Sequence, residues 1–342
     1  MSPSAAHKSP RVPALDFVKG ALVLIMVLYH WLNYFVSIEG DYYRYLRFLT
    51  PSFIFITGFL ISHVYLANAR IIDSKVPGRL MERGLKILAV FILLNFVRAF
   101  LIPDSRSGVM LSEPWSGRNL IATFATGNVA LGGNGKAAAF NILVPISYLL
   151  MISAGLAFVC RFYKYAFHAV CLASISCVLL LALNGIEYGN LELVTVGLMG
   201  AILGYTSIER INAALGHPYL VATACLFYLG AVTVWDVSYP LQVVGVCVNL
   251  MIIYLIGQVQ GEPGRVRSYV LLLGRYSLVG YIAQIAILQA LYRSLRPFKL
   301  EGAALVFALF AAITLTILTV VILDHARARF TAVDRVYKAV FA

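Results

Sequence analysis

Two ionisable side chains set the chemistry open to this sequence. Lys19 and His30 lie in RVPALDFVKGALVLIMVLYHWLNYFV, Arg11 to Val36, a stretch long and apolar enough to cross a bilayer as a helix. They stand eleven positions apart, about three whole helical turns, so both project from one face roughly 16 Å apart along the axis. A cation then sits near the start of the span. An imidazole sits near mid-membrane, where an ionisable group costs about 2 to 3 kcal/mol unless it is paired or working. Neutral imidazole, with a reference pKa of about 6.5, can accept a proton as general base or take an acyl group as nucleophile. The plainer reading makes Lys19 an interfacial side chain reaching for water and His30 a polar contact between helices. Depth favours chemistry for His30.

The elements that must position these residues are membrane helices. Of 342 residues, 61% are hydrophobic and 12% charged, and the mean hydropathy is +0.85. That balance excludes a soluble globular chain. The net charge of +12 belongs to Lys and Arg held at a cytoplasmic membrane surface, and no nucleic-acid partner is expected. Cys160, Cys171, Cys177, Cys225 and Cys247 lie in apolar stretches without CxxC or Cys/His ligand spacing. Neither a disulfide framework nor a metal site is expected.

Apolar stretches predict an all-α polytopic membrane protein of about ten transmembrane helices. They run near Arg11–Val36, Leu46–Leu66, Gly84–Ile102, Ala138–Cys160, Tyr165–Asn184, Leu193–Ser207, Pro218–Trp235, Leu241–Gln258, Val270–Leu291 and Gly302–Leu323. Pro51 kinks or starts the second. One membrane domain, residues 14–325, is expected between a cytoplasmic tail (1–13) and a C-terminal one (326–342). The surplus of Lys and Arg in alternate connectors puts both termini in the cytoplasm and Pro103–Lys136, the longest connector, outside.

Arg79, Arg83 and Lys86, spaced by four and three, line one face of a helix entering the membrane. Such a strip suits the phosphates of a nucleotide-like donor, or, more plainly, lipid headgroups. Arg98 and Arg275 stand near span ends. Tyr281 and Gln284 share a helix face and could hydrogen-bond in a site or join helices. Asp16, three residues before Lys19, is placed for a local ion pair.

These residues resemble the transmembrane acyltransferase superfamily. Its acyltransferase-3 branch opens with a basic residue, ten residues of any kind and a histidine on the first membrane helix, here Lys19 and His30 within LDFVKG and VLYH. The similarity continues through PSFIFITGFLIS (Pro51–Ser62), RGLKIL (Arg83–Leu88) and LGRYSLVGYIAQ (Leu273–Gln284). Two positions depart from the pattern: Lys19 where Arg is usual, and Gln284 where many members have His. The resemblance implies transfer of an acyl group, acetyl in the expected case, from cytosolic acyl-CoA to a hydroxyl or amine of an extracytoplasmic glycan or other membrane-borne acceptor. It makes His30 catalytic and gives Arg83 and Lys86, with Arg79, Lys19, Arg275, Tyr281 and Gln284, to substrate binding, with no metal. It places the chain in a bacterial inner membrane. Two alternatives stand beside it: a transporter or flippase for an anionic solute or lipid-linked sugar, with Lys19, His30 and Arg98 lining the path, and a non-catalytic membrane scaffold.

Overall fold

A computed structural model describes residues 12–37, 40–66, 75–101, 117–127, 140–163, 165–186, 188–258, 264–298 and 301–341. No strand occurs among them. The helices are α1 (Pro13–Trp31), α2 (Leu49–Leu60), α3 (Lys75–Leu101), α4 (Gly117–Leu120), α5 (Leu143–Val159), α6 (Ala166–Leu183), α7 (Gly189–Leu203), α8 (Ile208–Ala214), α9 (Pro218–Val234), α10 (Tyr239–Gly257), α11 (Arg265–Arg275), α12 (Ser277–Leu295), α13 (Ala303–Arg329) and α14 (Thr331–Phe341).

The protein is an all-α polytopic membrane protein. Six helical segments among the described residues are long and apolar enough to cross a bilayer: Pro13–Val36, Asp41–Leu66, Ala166–Leu183, Tyr239–Gly257, Ser277–Leu295 and Ala303–Arg329. A bent pair, α7 and α8, meeting at 99°, would raise the number to seven, and α5 and α9 are apolar but shorter. Ten spans were expected. Helix α3, where the third span was expected, is not among the six. Large apolar side chains face outward on several helices, Leu183, Phe227 and Phe307 being 84%, 75% and 73% exposed. A hydrocarbon solvent accounts for such a surface, because it satisfies apolar groups but no backbone polar group, and helices satisfy the latter internally.

The sequence pattern held at Pro51, which lies in the first turn of α2 where its missing N–H removes no helical bond. It failed at the ninth expected span. Val270–Leu291 is not one helix, since α11 ends at Arg275 and α12 begins at Ser277, with Tyr276 at φ −111° and ψ 29° between them. The Tyr276 side chain is buried, and its phenol donates to Asp324 Oδ1 of α13 at 2.6 Å. Arg265, Arg267 and Arg275 suit α11 to an interface rather than a hydrocarbon core. The connector Pro103–Lys136 also holds helical residues: α4 widens into a π-helical turn, Ile121–Thr126, closed by Gly127 at φ 67°. The rest of that connector lies outside the described residues.

The chain divides into two compact units. The first comprises Met1–Leu46, Ala214–Asp236 and Cys247–His325; the second comprises Arg47–Ala213, Val237–Val246 and Ala326–Ala342. In the first, α1 buries Val18, Leu22, Val23, Met26 and Val27. Gly20 and Gly274 let α1 and α11 touch backbone to backbone, since a Cβ on Gly20 would overlap the Val270 carbonyl and one on Gly274 the Asp16 carbonyl. In the second, α14 packs on α3. Arg327 and Lys338 both pair with Asp334 at 2.6 Å, and Arg327 lies 3.8 Å over the Tyr337 ring. The C-terminal segment is therefore a helix held at its start by charge.

Candidate functional site

His30 is the penultimate residue of α1, and the span continues as a wider π-helical turn, Leu32–Val36, in which the Ser37 N–H reaches back to the Leu32 carbonyl at 3.0 Å. Turns of this kind are frequent at functional sites because they re-aim neighbouring side chains. His30 stands about 25 Å above Pro13 and only about 9 Å below Val36, nearer the end of the span than its middle. The next residue, Trp31, is anchored by its indole N–H to the Leu305 carbonyl at 3.1 Å.

An aromatic wall flanks the imidazole. Tyr29 meets His30 edge to face, with centroids 5.2 Å apart, and meets Tyr43 at 5.3 Å. Tyr43 and Tyr42 both donate to the Ser37 carbonyl, at 2.6 and 3.2 Å. Edge-to-face pairs contribute about 0.5 to 1.5 kcal/mol each beyond their buried area, enough to bias the orientation of the His30 ring. Tyr281 of α12 is buried within electrostatic reach of Tyr29.

Two contacts fix how α12 runs beside α1. A Cβ on Gly280 would stand 3.3 Å from Val23 Cγ1, and Leu288 is fully buried with Val27, Trp31, Ala308 and Ala312. The two helices therefore ascend in the same direction. Gln284, one turn beyond Gly280 and one before Leu288, lies on the α12 face toward α1 at 0% exposure.

Lys19 belongs to the other end of α1. Its Nζ is 2.7 Å from Asp16 Oδ1, with side chains 19% and 16% exposed, the local ion pair their spacing suggests. Gly274 packs on the Asp16 carbonyl, which brings Arg275, exposed at the end of α11, to the level of that pair. In the first unit, Lys19 and Arg275 lie toward the start of α1, while His30 stands at its other end beside Tyr29, which is within electrostatic reach of Tyr281.

The basic strip lies on α3 in the second unit. An Arg83 Nη donates to the Tyr65 phenol at 2.6 Å, Lys86 pairs with Glu82 at 2.9 Å, and Arg79 is exposed. Arg98 is also on α3, its side chain outside the described residues.

Residues 11–106 match the family model described as heparan-alpha-glucosaminide N-acetyltransferase, catalytic. The matched stretch carries Lys19, His30, Arg79, Arg83 and Lys86. It supports a membrane acyltransferase and does not single out the acyltransferase-3 branch. No curated protein matches the chain, and no solved structure does.

Sequence reasoning passed over Tyr29, Tyr42, Tyr43 and Tyr65. Tyrosines at the ends of membrane spans are ordinary belt residues, so composition hid them. Only adjacency to His30 marked Tyr29. Nothing in the sequence joins Tyr43 to Ser37 or Tyr65 to Arg83.

Proposed function

We propose that this chain is an integral membrane acyltransferase that moves an acetyl group from cytosolic acetyl-CoA to an amine or hydroxyl of an extracytoplasmic glycan, with both termini on the cytoplasmic face of a bacterial inner membrane. One observation carries the reading: a half-buried imidazole, edge-on to Tyr29, near the end of the span inside the segment that matches an acetyltransferase family. His30 is the reacting group. As general base it takes the proton of the acceptor, whose nitrogen or oxygen attacks the thioester carbonyl carbon. The new C–N or C–O bond forms, the C–S bond breaks, and the thiolate leaves with that proton as free CoA thiol. As nucleophile, its ring nitrogen bonds to the acyl carbon while the C–S bond breaks and CoA leaves as thiolate; the acceptor's nitrogen or oxygen then bonds to that carbon as the C–N bond to imidazole breaks, its proton going to the departing ring nitrogen.

The remaining residues are assigned by what their charge and placement suit. Arg79, Arg83 and Lys86 suit the donor's phosphates. Tyr65 holds the Arg83 guanidinium in a fixed direction. Lys19 and Arg275 suit a polyanionic donor at the start of α1, and Tyr281 and Gln284 suit the reacting end of the substrates.

The test is acetyl-CoA-dependent release of free thiol by the purified protein in detergent, with and without glycans ending in glucosamine. The wild type should release thiol faster when acceptor is present. His30→Ala should fall at least 10²-fold, the usual contribution of a positioned base, with its melting temperature preserved. Retention of more than about a tenth of wild-type turnover would remove His30 from the chemistry and raise the transporter reading.

A further inference from the structure

The Gln284 carboxamide is fully buried, and neither its Nε2 nor its Oε1 meets a protein partner. Leaving such groups unsatisfied costs stability, and the surrounding hydrocarbon offers no compensation. Near this level α1 and α12 also carry Tyr29, His30, Tyr281 and Gln289, and none of them is a hydrogen-bond partner of Gln284. An apolar residue of the same length, such as Met, would fill the position without that cost. The carboxamide is therefore suited to a group that arrives with the substrates.

Its place in the fold says where that group sits. Gly280 faces Val23, and Leu288 faces Val27 and Trp31, so Gln284 lies beside α1 at about the level of Val27, three residues below His30. Three residues amount to about 4.5 Å of rise. A carbonyl lodged between the two side chains would have an imidazole on one side and an amide N–H donor on the other. Side-chain amides are among the donors that stabilise oxyanions in acyl transfer.

We propose that Gln284 is a further catalytic residue, whose Nε2–H donates to the thioester carbonyl oxygen as that oxygen gains negative charge. The inference rests on the acyltransferase reading above. As the acceptor's nitrogen or oxygen bonds to the carbonyl carbon, the C=O π pair moves onto oxygen and the Gln284 N–H strengthens its hydrogen bond there. When the pair returns, the C–S bond breaks and the thiolate takes the proton that His30 removed from the acceptor. Oε1 accepts an N–H or O–H of the acceptor.

The experiment compares Gln284→Met and Gln284→Leu with the wild type and His30→Ala in the thiol-release assay, with steady-state constants for acetyl-CoA and for a glucosamine-terminated acceptor. Removal of one oxyanion donor lowers kcat by about 10² to 10³. Gln284→Met should show that loss with both KM values within threefold of wild type and a melting temperature equal or higher, because an unpaired buried amide has been removed. Gln284→Leu also removes the donor, with a shorter apolar side chain, and should lose kcat alike, so the inference stays testable if the Met variant does not fold. A kcat within threefold of wild type in either variant overturns it. So does a loss confined to KM, which would make Gln284 a ground-state contact, or a kcat loss matched by a fall in melting temperature in both variants, which would make it structural. A wild-type protein with no acetyl-CoA-dependent thiol release overturns the acyltransferase reading itself, and this inference with it.

Discussion

Lys19 offers the most discriminating perturbation, because the structure gives it a partner that changes what a substitution means. Its Nζ lies 2.7 Å from Asp16 Oδ1, and both side chains are less than a fifth exposed. Exposed pairs contribute about 0.2 to 1 kcal/mol, while removing one partner of a buried pair costs about 3 to 5 kcal/mol. The Lys19–Asp16 pair lies between these limits, and Lys19→Gln alone should destabilise by about 1 to 3 kcal/mol, mostly through the stranded Asp16 carboxylate. Loss of activity in that variant is therefore ambiguous. A double-mutant cycle resolves it. Asp16→Asn with Lys19→Gln removes both charges and should recover most of the melting temperature. If Lys19 also contacts the donor, the double variant should keep a KM for acetyl-CoA raised at least tenfold, equivalent to about 1.4 kcal/mol. Asp16→Asn alone should lower that KM by freeing the ammonium for phosphate, and Lys19→Arg should retain most activity. Thermal melts in detergent and donor titrations at fixed salt measure both quantities. A double variant with wild-type donor KM would refute the reasoning and leave Lys19 as the partner of Asp16 and nothing more.

The remaining predictions concern other parts of the fold. Replacing Arg83 and Lys86 together by Gln should weaken acetyl-CoA binding well beyond acceptor binding and flatten its salt dependence, since screened charge pairs are lost; equal losses for both substrates in titrations would indicate misfolding instead. Gly274→Ala should destabilise by about 1 to 3 kcal/mol, because its methyl overlaps the Asp16 carbonyl, whereas Gly78→Ala, in open space on α3, should stabilise by up to about 1 kcal/mol; melting curves of the pair read the difference. The Asp334 carboxyl is held below its ordinary value of 3.8 by hydrogen bonds from Lys338 and Arg327. A depressed pKa stabilises the folded state fully above the ordinary value and loses that contribution as pH falls through the lowered one. Amide exchange of α14 should therefore be independent of pH-driven opening near neutrality and accelerate below about pH 3.8, and Asp334→Asn should abolish the acid dependence while exposing α14 at all pH values.

The class of protein was legible without coordinates. Length and hydropathy follow from single residues counted along the chain, and a membrane helix needs no long-range partner to satisfy its backbone. Hence helices were expected along most of the apolar stretches where they occur, and the shared face of Lys19 and His30 came from the helical repeat alone. The Asp16–Lys19 pair was equally local, three residues apart on one helix.

What tertiary structure decided was where helices stop and which side chains meet. Val270–Leu291 is apolar apart from a few polar positions such as Arg275, yet the chain breaks at Tyr276, whose phenol binds Asp324, 48 residues away. No local property of LGRYS predicts that partner. The aromatic wall depends on the turn that brings Tyr42 and Tyr43 onto the Ser37 carbonyl beside Tyr29. Gln284 gives the sharpest contrast. In sequence it is one polar residue on an apolar helix, equally suited to joining helices or to a site. Gly280 packs on Val23, and Leu288 shares a buried cluster with Val27 and Trp31, and in this packing the Gln284 carboxamide is buried without a hydrogen-bond partner. An unsatisfied amide is a property of the assembled interface, because it depends on what the other helix fails to supply.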